Sequence, residues 1–243
     1  DQAHRIQAEM EPRTPQPRTA MDHVELKPYP FPGGMDIPRL MPEQDKPWNG
    51  DGYLAAEVLR LKKAHGVTCA LETGTCLGST TLWLAENFDK VWTCEVNAAY
   101  YDLASERFTQ YSKPHAIADN SFRIWNDPLT IVARRIDSKI AVREDIQRVG
   151  LVFLDAHWNS HCPLLNELEA IAKAGAKPCI IIHDFHVPGT TFGFDSMPDG
   201  TPFCYNLIEP YLIAIYGEEG FKTNYPTKVE GANRGWISVE PVR

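Results

Sequence analysis

The sequence predicts an α/β fold with a doubly wound, mostly parallel sheet. Three observations carry that expectation. Short segments that are apolar throughout, such as "GLVFL" at 150–154 and "CIII" at 179–182, have the character of strands covered on both faces. They alternate with stretches whose apolar residues recur at helical spacing. The chain then ends in two strand-like segments joined by a short polar connection, as an antiparallel hairpin requires.

Taken in order, the segment "DGYLAAEVLRLKKAHG" (51–66) places Leu54, Val58 and Leu61 on one helical face and closes on basic residues and a glycine. "TCALET" is a short buried strand, "STTLWLAENF" a helix, "KVWTCEV" the next strand and "AAYYDLASERF" the next helix. "PHAIA" (114–118) is expected to be a third strand, followed by a less regular stretch around Asp127 and Pro128. "GLVFLDA" and "PCIIIHD" are the fourth and fifth strands, separated by the helix "PLLNELEAIAKAG" with Leu164, Leu165, Leu168, Ile171 and Ala172 facing inward. "PFCYNLIEPYLIAIYGEEG" reads as a helix around Pro210, and "FKTNYPTKV" and "GWISVEPV" as the closing hairpin. That makes seven strands.

The part before this regular pattern differs in kind. Nine of the 19 prolines precede Trp48, and missing N–H groups and fixed φ angles exclude long helices and ladders there. Residues 1–48 are therefore expected to be an arm and 49–243 a single domain. Tyr29, Phe31, Met35, Ile37, Leu40 and Met41 give the arm enough apolar surface to pack on the body or on a second subunit, which makes it the expected contact of any homo-oligomer.

Composition narrows the function classes. A chain of 243 residues, 43% hydrophobic, can bury a sizeable core. A net charge of -8 with scattered basic residues argues against a nucleic-acid groove, and no apolar run is long enough to span a bilayer. The six cysteines include no CxxC pair, and no basic-then-apolar leader opens the sequence. A reducing, cytoplasmic setting and a small-molecule substrate are the expectation.

In an open α/β sheet, ligands gather beyond the carboxyl ends of the strands. Every expected parallel strand carries polar residues at that end: Glu72-Thr73-Gly74, Glu95-Val96-Asn97, Asp119-Asn120-Ser121, Asp155-Ala156-His157-Trp158 and His183-Asp184-Phe185-His186. The first of these opens the turn "ETGTCLGSTT", whose glycines allow a sharp bend before a helix start suited to an anion. No Gly-Lys-Ser/Thr follows, so it is not a phosphate loop, and Cys76 occupies the middle position of G-x-G-x-x-G, where it would crowd a pyrophosphate. A smaller anion, such as an amino-acid carboxylate, fits better. Glu95, at the end of the second strand, stands where an acid accepts hydrogen bonds from ribose hydroxyls. A ligand with ribose at one end and an amino acid at the other is S-adenosylmethionine.

From about Tyr53 onward the chain resembles class I S-adenosylmethionine-dependent methyltransferases, in particular small-molecule O-methyltransferases of the catechol O-methyltransferase-like type. "LETGTCLGSTTLWLA" is similar to the glycine-rich first motif in its Glu-x-Gly-x-x-x-Gly spacing, "CEVN" to the ribose-binding motif, and "ADNS" to the segment edging the adenine. "LVFLDAHW", "LLNELEAI" and "IIIHDF" resemble the motifs of the fourth and fifth strands. The resemblance implies a Rossmann-like, seven-stranded methyltransferase fold with S-adenosylmethionine as cofactor. It implies Glu72, Gly74, Thr75, Gly78 and Ser79 at the methionine end, Glu95 on the ribose, Asn120 and Ser121 at the adenine, and Asp155 near the sulfonium.

Metal-dependent members of that family use an Asp ending the fourth strand and an Asp-Asn or Asp-Asp pair ending the fifth. Here Asp155 and Asp184 match, but Phe185 stands at the second position of the pair. His157, His183 and His186 offer other donors, and mixed His and Asp ligands suit zinc, iron or manganese better than magnesium. A histidine would equally serve as a general base with Asp184 orienting it, so Asp155, His157, His183 and Asp184 are the candidate catalytic residues under either chemistry. Trp83, Trp92 and Trp236 are expected in the core, Trp158 on a substrate or over its own loop, and Cys76 as a mere small residue. The stretch "PGTTFGFDSMPDGTPF" after the fifth strand is expected to be a lid or substrate wall. The expected function is methyl transfer to a small-molecule hydroxyl, of a sugar, phenol or natural product. A NAD-dependent oxidoreductase and a non-catalytic S-adenosylmethionine-binding or scaffolding protein are the rivals.

Overall fold

The computed structural model describes residues 22–29, 46–111, 130–157 and 161–242. Within them, seven strands form one sheet: β1 (Cys69–Thr73), β2 (Lys90–Cys94), β3 (Ile131–Arg134), β4 (Leu151–Leu154), β5 (Cys179–His183), β6 (Phe221–Asn224) and β7 (Trp236–Pro241). Their order is β3-β2-β1-β4-β5-β7-β6. The first five are parallel, and β7 inserts antiparallel between β5 and the edge strand β6. The order of strand addition switches from one side of β1 to the other at the parallel β1–β4 pair, so the loops after these two strands diverge and leave a crevice at their carboxyl ends.

Because successive strand residues face opposite sides, the apolar strands supply two cores at once. Leu71, Val152, Leu154, Ile180, Ile182 and Ile237 face one layer, formed by α4 (Ser138–Asp145), α5 (Leu164–Ala174) and α6 (Tyr205–Tyr216). Ala70, Val91, Leu151, Phe153, Ile181 and Trp236 face the other, formed by α1 (Gly52–His65), α2 (Ser79–Asn87) and α3 (Ala98–Tyr111). Leu54, Val58 and Leu61 are fully buried as their spacing predicts, and Trp83, Trp92 and Trp236 lie in the core. At about 25 cal/mol per Å² of apolar surface, such two-sided burial is the main stabilising contribution.

Local chemistry sets the ends of α1. The Asp51 carboxylate accepts hydrogen bonds from the Tyr53 and Leu54 amides at 2.9 and 3.2 Å, capping the helix start, and its second oxygen accepts the Trp236 indole N–H at 3.2 Å. Gly66 ends the helix in the left-handed conformation. Just before Asp51, Trp48, Asn49 and Gly50 are three successive positive-φ residues, held by packing of Trp48 on Trp83 and Phe153 and by the hydrogen bond its backbone N–H donates to Thr80 Oγ1.

The strand that pairs with β2 is one the sequence pattern did not mark. β3 is Ile131–Arg134, beyond the irregular stretch, and pairs with β2 from Val91↔Ile131 to Cys94↔Arg134. "PHAIA" lies outside the described residues, as do Asn120, Ser121 and Trp158. A tetrapeptide with only three apolar residues, "IVAR", carries too weak a period-2 signal to be told from its surroundings.

Of the arm, Asp22–Tyr29 packs on the body. The Val24 amide donates to the Gly52 carbonyl at 3.1 Å, the His23 imidazole meets Tyr53 edge-on and Glu230 at 2.7 Å, and Tyr29 is buried against Tyr111. Arg107, fully buried on α3, donates to the Tyr29 carbonyl, the Leu77 carbonyl and Ser79 Oγ. One guanidinium thus ties the arm to the glycine-rich turn.

Candidate active site

The turn between β1 and α2 is shaped by close approach. Gly74 has φ +82, and a Cβ there would meet the Asp155 carbonyl at 2.5 Å, so only glycine lets the turn lie against the end of β4. Its amide and that of Thr75 both donate to the Cys94 carbonyl, at 3.0 and 3.1 Å. Gly78 has φ +79 and faces the Phe108 ring, where a Cβ would come within 2.5 Å; its smallness serves helix packing.

Most polar side chains expected at the methionine end are engaged within the protein. Thr81 and Thr93 both donate to Glu72 Oε2, the latter at 2.7 Å. Burial raises the pKa of Glu72 to about 8, opposed by those two hydrogen bonds. The Thr75 hydroxyl is 2.6 Å from that of Thr93, and Ser79 Oγ accepts from Arg107. What the turn offers a ligand is chiefly its backbone and shape, with Glu72 on the wall.

Glu95 follows β2 and is nearly buried. Its Oε2 accepts the Cys76 amide at 2.9 Å and its Oε1 the Asn97 amide at 2.8 Å, leaving each oxygen a further lone pair. Cys76 itself is left-handed, with φ 48, and burial pushes its thiol up to about 12. It is no nucleophile near neutral pH.

These residues border a cleft of about 200 Å³, open to solvent, lined by Gly74, Cys76, Glu95, Asn97, Tyr100, Ile136, Ser138, Asp155 and His157. A smaller lobe across the turn is lined by Lys46, Trp48, Asn49, Glu72, Gly74 to Thr80 and Asp155. Ile136 and Ser138, just beyond β3, line the cleft, whereas Asn120 and Ser121, which the sequence assigned to the adenine, lie outside the described residues. Ile136 and Ser138 went unnoticed because their strand did.

At one end of the cleft the fourth and fifth strands bring their polar termini together. His157 Nε2 lies 3.0 Å from Asp184 Oδ2, 3.5 Å from Asp195 Oδ2 and 3.7 Å from Asp155 Oδ1. His183 Nδ1 lies 3.3 Å from Asp155 Oδ1 and 3.5 Å from Asp184 Oδ2. Asp184 adopts φ 55, a bend that turns its carboxylate back toward β4. Arg234 donates from Nε to Asp184 Oδ1 and from Nη2 to Asp195 Oδ1.

Electrostatics follow the contacts. Burial lowers the pKa of both histidines, but adjacent carboxylates more than offset it: Asp184 first for His157, and Asp184 with Asp155 for His183, so both rise, His183 well above its ordinary value. Burial alone would raise Asp184; His183, His157 and Arg234 instead hold it far below the usual carboxylate range.

The structure therefore unites Asp155, His157, His183 and Asp184, as the sequence suggested. It leaves out His186, whose ring packs edge-on against Phe194 at 4.8 Å. Phe185 is fully buried and stacked on Tyr225, so nothing at that position can coordinate a metal. Two participants were missed. Asp195 comes from the stretch after β5, which is pinned as a wall: the Asp195 amide donates to the Asp184 carbonyl at 2.8 Å and the Gly193 amide to the Asn233 carbonyl at 2.8 Å. Arg234 lies in the polar connection before β7, where no local pattern marks it.

No protein-family model and no curated protein matches the sequence. Solved structures do share its fold. An O-methyltransferase from Bacillus cereus, in complex with SAH, aligns at a TM-score of 0.52 and 17% identity over 77% of this chain and 79% of that one. Cofactor-bound Rv0187 from MTB aligns at 0.51 and 15% over 87% and 84%. The methyltransferase domain of bacterial CtHen1-CN aligns at 0.50 and 10% over 76% and 96%. The chain thus has the seven-stranded Rossmann-like fold of class I methyltransferases. Among the described residues, no helix is long and apolar enough to cross a membrane.

Proposed function

We propose that this protein is an S-adenosylmethionine-dependent methyltransferase acting on a hydroxyl of a small molecule. The observation that carries the reading is spatial: Glu95, the Gly74 turn and Asp155 border one cleft, and the His157–Asp184 pair stands at its end. The first group suits a nucleoside joined to an amino acid, and the second suits activation of a hydroxyl beside it. The SAH bound by the Bacillus cereus neighbour supports the same assignment.

In this reading Glu95 accepts hydrogen bonds from the ribose hydroxyls, and Ile136 and Ser138 border the adenine. Glu72 and the turn from Gly74 to Ser79 hold the methionine portion, leaving Asp155 beside the sulfonium. When bound there, S-adenosylmethionine would supply an electrophilic methyl group to an acceptor oxygen, with S-adenosylhomocysteine as the leaving product. The hydroxyl would hand its proton to Asp155, the carboxylate of the cluster that lines the cleft, because the surrounding carboxylates favour the protonated forms of His157 and His183. Alignment and electrostatics supply most of the acceleration, since the donor is already reactive.

Calorimetry tests the cofactor directly. S-adenosylhomocysteine should bind to the full chain and NAD should not, whereas NAD binding alone would overturn the assignment. A screen of sugars, phenols and other hydroxylated molecules, read by mass spectrometry as gain of one methyl, then tests the reaction.

A further inference from the structure

Two buried polar atoms beside the cleft have no hydrogen-bond partner within the protein. One is Ser138 Oγ, at the start of α4, and the other is Glu167 Oε1, in the first turn of α5. Ser138 is 4% exposed and Glu167 1%, so solvent does little for either, and such groups in a folded chain call for a partner. They are also neighbours. The Ser138 and Thr73 hydroxyls both favour the Glu167 carboxylate, opposing the burial that raises its pKa to about 7. Of the pair, Ser138 is the one that lines the cleft.

The two hydroxyls beside Glu167 differ in what they still need. Thr73 Oγ1 accepts the Asp155 amide at 3.3 Å, which leaves its proton for Glu167. Ser138 Oγ accepts from nothing. An N–H presented from the cleft would complete the set: it donates to Ser138 Oγ, the hydroxyl proton turns to Glu167 Oε1, and an ionised carboxylate can only accept. A carbonyl presented at the same place would draw the hydroxyl proton outward and strand the buried carboxylate.

The surroundings suit a flat ring. Ile136 and Val96 line the same cleft, and Val96 is 59% exposed, an apolar side chain that a docked ring would cover. Val96 follows Glu95 in the chain, so a ring between Val96 and Ser138 lies next to the position where Glu95 would take a ribose.

We propose that Ser138 and Glu167 select a purine bearing an exocyclic amino group over one bearing a carbonyl at that position, with Ser138 touching the base and Glu167 acting through it as a positioning residue. The inference rests on the S-adenosylmethionine reading and adds to it the groups that tell adenine from hypoxanthine. A site built to pair with a ligand N–H rejects the analogue that lacks it, because its own buried groups are then left unpaired.

The test is calorimetry on the full chain with S-adenosylhomocysteine and with its 6-oxo analogue, S-inosylhomocysteine, at about pH 8.5, where a carboxyl of pKa about 7 is ionised. The wild type is expected to prefer the amino compound at least tenfold. Ser138→Ala and Glu167→Met should bring the two affinities within threefold of each other, and Ser138→Thr, which keeps the hydroxyl, should retain the preference. The ratio is the readout, since a merely structural loss would weaken both ligands alike. Should Glu167→Met not fold, Glu167→Gln, which no longer fixes an acceptor behind the hydroxyl, takes its place. A wild-type preference below tenfold, or one retained in Ser138→Ala or in the folded position-167 variant, overturns the proposal. A chain that binds S-adenosylhomocysteine without preference removes the selectivity and leaves the methyltransferase reading standing, whereas one that binds neither compound removes both.

Discussion

Glu95 Oε2 accepts the backbone amide of Cys76 at 2.9 Å, joining the end of the second strand to the turn after the first. The acid expected to read the ribose therefore also shapes the cradle for the other half of the same ligand. One carboxylate sets two walls of the cleft, and its loss should be felt at both. Glu95→Ala is expected to weaken S-adenosylhomocysteine binding at least a hundredfold. Glu95→Gln should weaken it less, because the amide oxygen can still accept the Cys76 bond. Equal affinities for all three proteins by calorimetry would show that the carboxylate faces no ligand.

Gly74→Ala tests the turn itself. The new Cβ would meet the Asp155 carbonyl at 2.5 Å while the backbone stays at φ +82, so strain and displacement act together. Strain alone costs on the order of 1–3 kcal/mol, and movement of Asp155 should further lower ligand affinity. Denaturant unfolding with calorimetry on the same variant checks both. Native stability with native binding would mean the turn relaxes without cost.

These two positions also show what the sequence could reveal. Glu72, Gly74, Glu95, Asp155 and Asp184 each lie at or just beyond the carboxyl end of a strand that its mainly apolar run marks, and the connection rules of parallel sheets place those ends on one rim. β3 escaped because "IVAR" has no comparable run, and with it went Ile136 and Ser138. Arg234 and Asp195 are illegible for a different reason. Each sits in a polar connection, and they meet Asp184 only because β7 inserts beside β5 and the long loop is pinned across it. His186 shows the opposite error: adjacency in sequence suggested a ligand that the bend at Asp184 turns toward Phe194.

Arg107→Met should loosen the arm. The fully buried guanidinium holds carbonyls of Tyr29 and Leu77 together with Ser79 Oγ, and methionine fills the space but leaves those oxygens without that donor. Hydrogen bonds from a charged donor contribute roughly 1.5–3 kcal/mol each, so a marked drop in the denaturation midpoint is expected. Because the same side chain braces the turn, binding of S-adenosylhomocysteine should weaken as well. A variant as stable as wild type would remove Arg107 as the link between arm and turn.

Glu72 makes stability depend on pH in an unusual direction. Burial raises its pKa from 4.5 to about 8, so between those values the folded protein holds a proton that the unfolded chain has released. Its contribution is complete below about pH 4.5 and is lost as pH rises toward 8, with a slope approaching about 1.4 kcal/mol per pH unit at most. The paired histidines act in the same sense, since their raised pKa values also favour the protonated folded state. Asp184, held low, acts only at the acid end, where protonating it removes its bonds to His157 and Arg234. Glu72→Gln isolates the first contribution, because the amide cannot ionise. Its stability relative to wild type should rise steadily from pH 5 to pH 8 in parallel urea titrations. A difference that stays constant across that range would mean that Glu72 is charged in the folded protein and that its two threonine partners, Thr81 and Thr93, outweigh its burial.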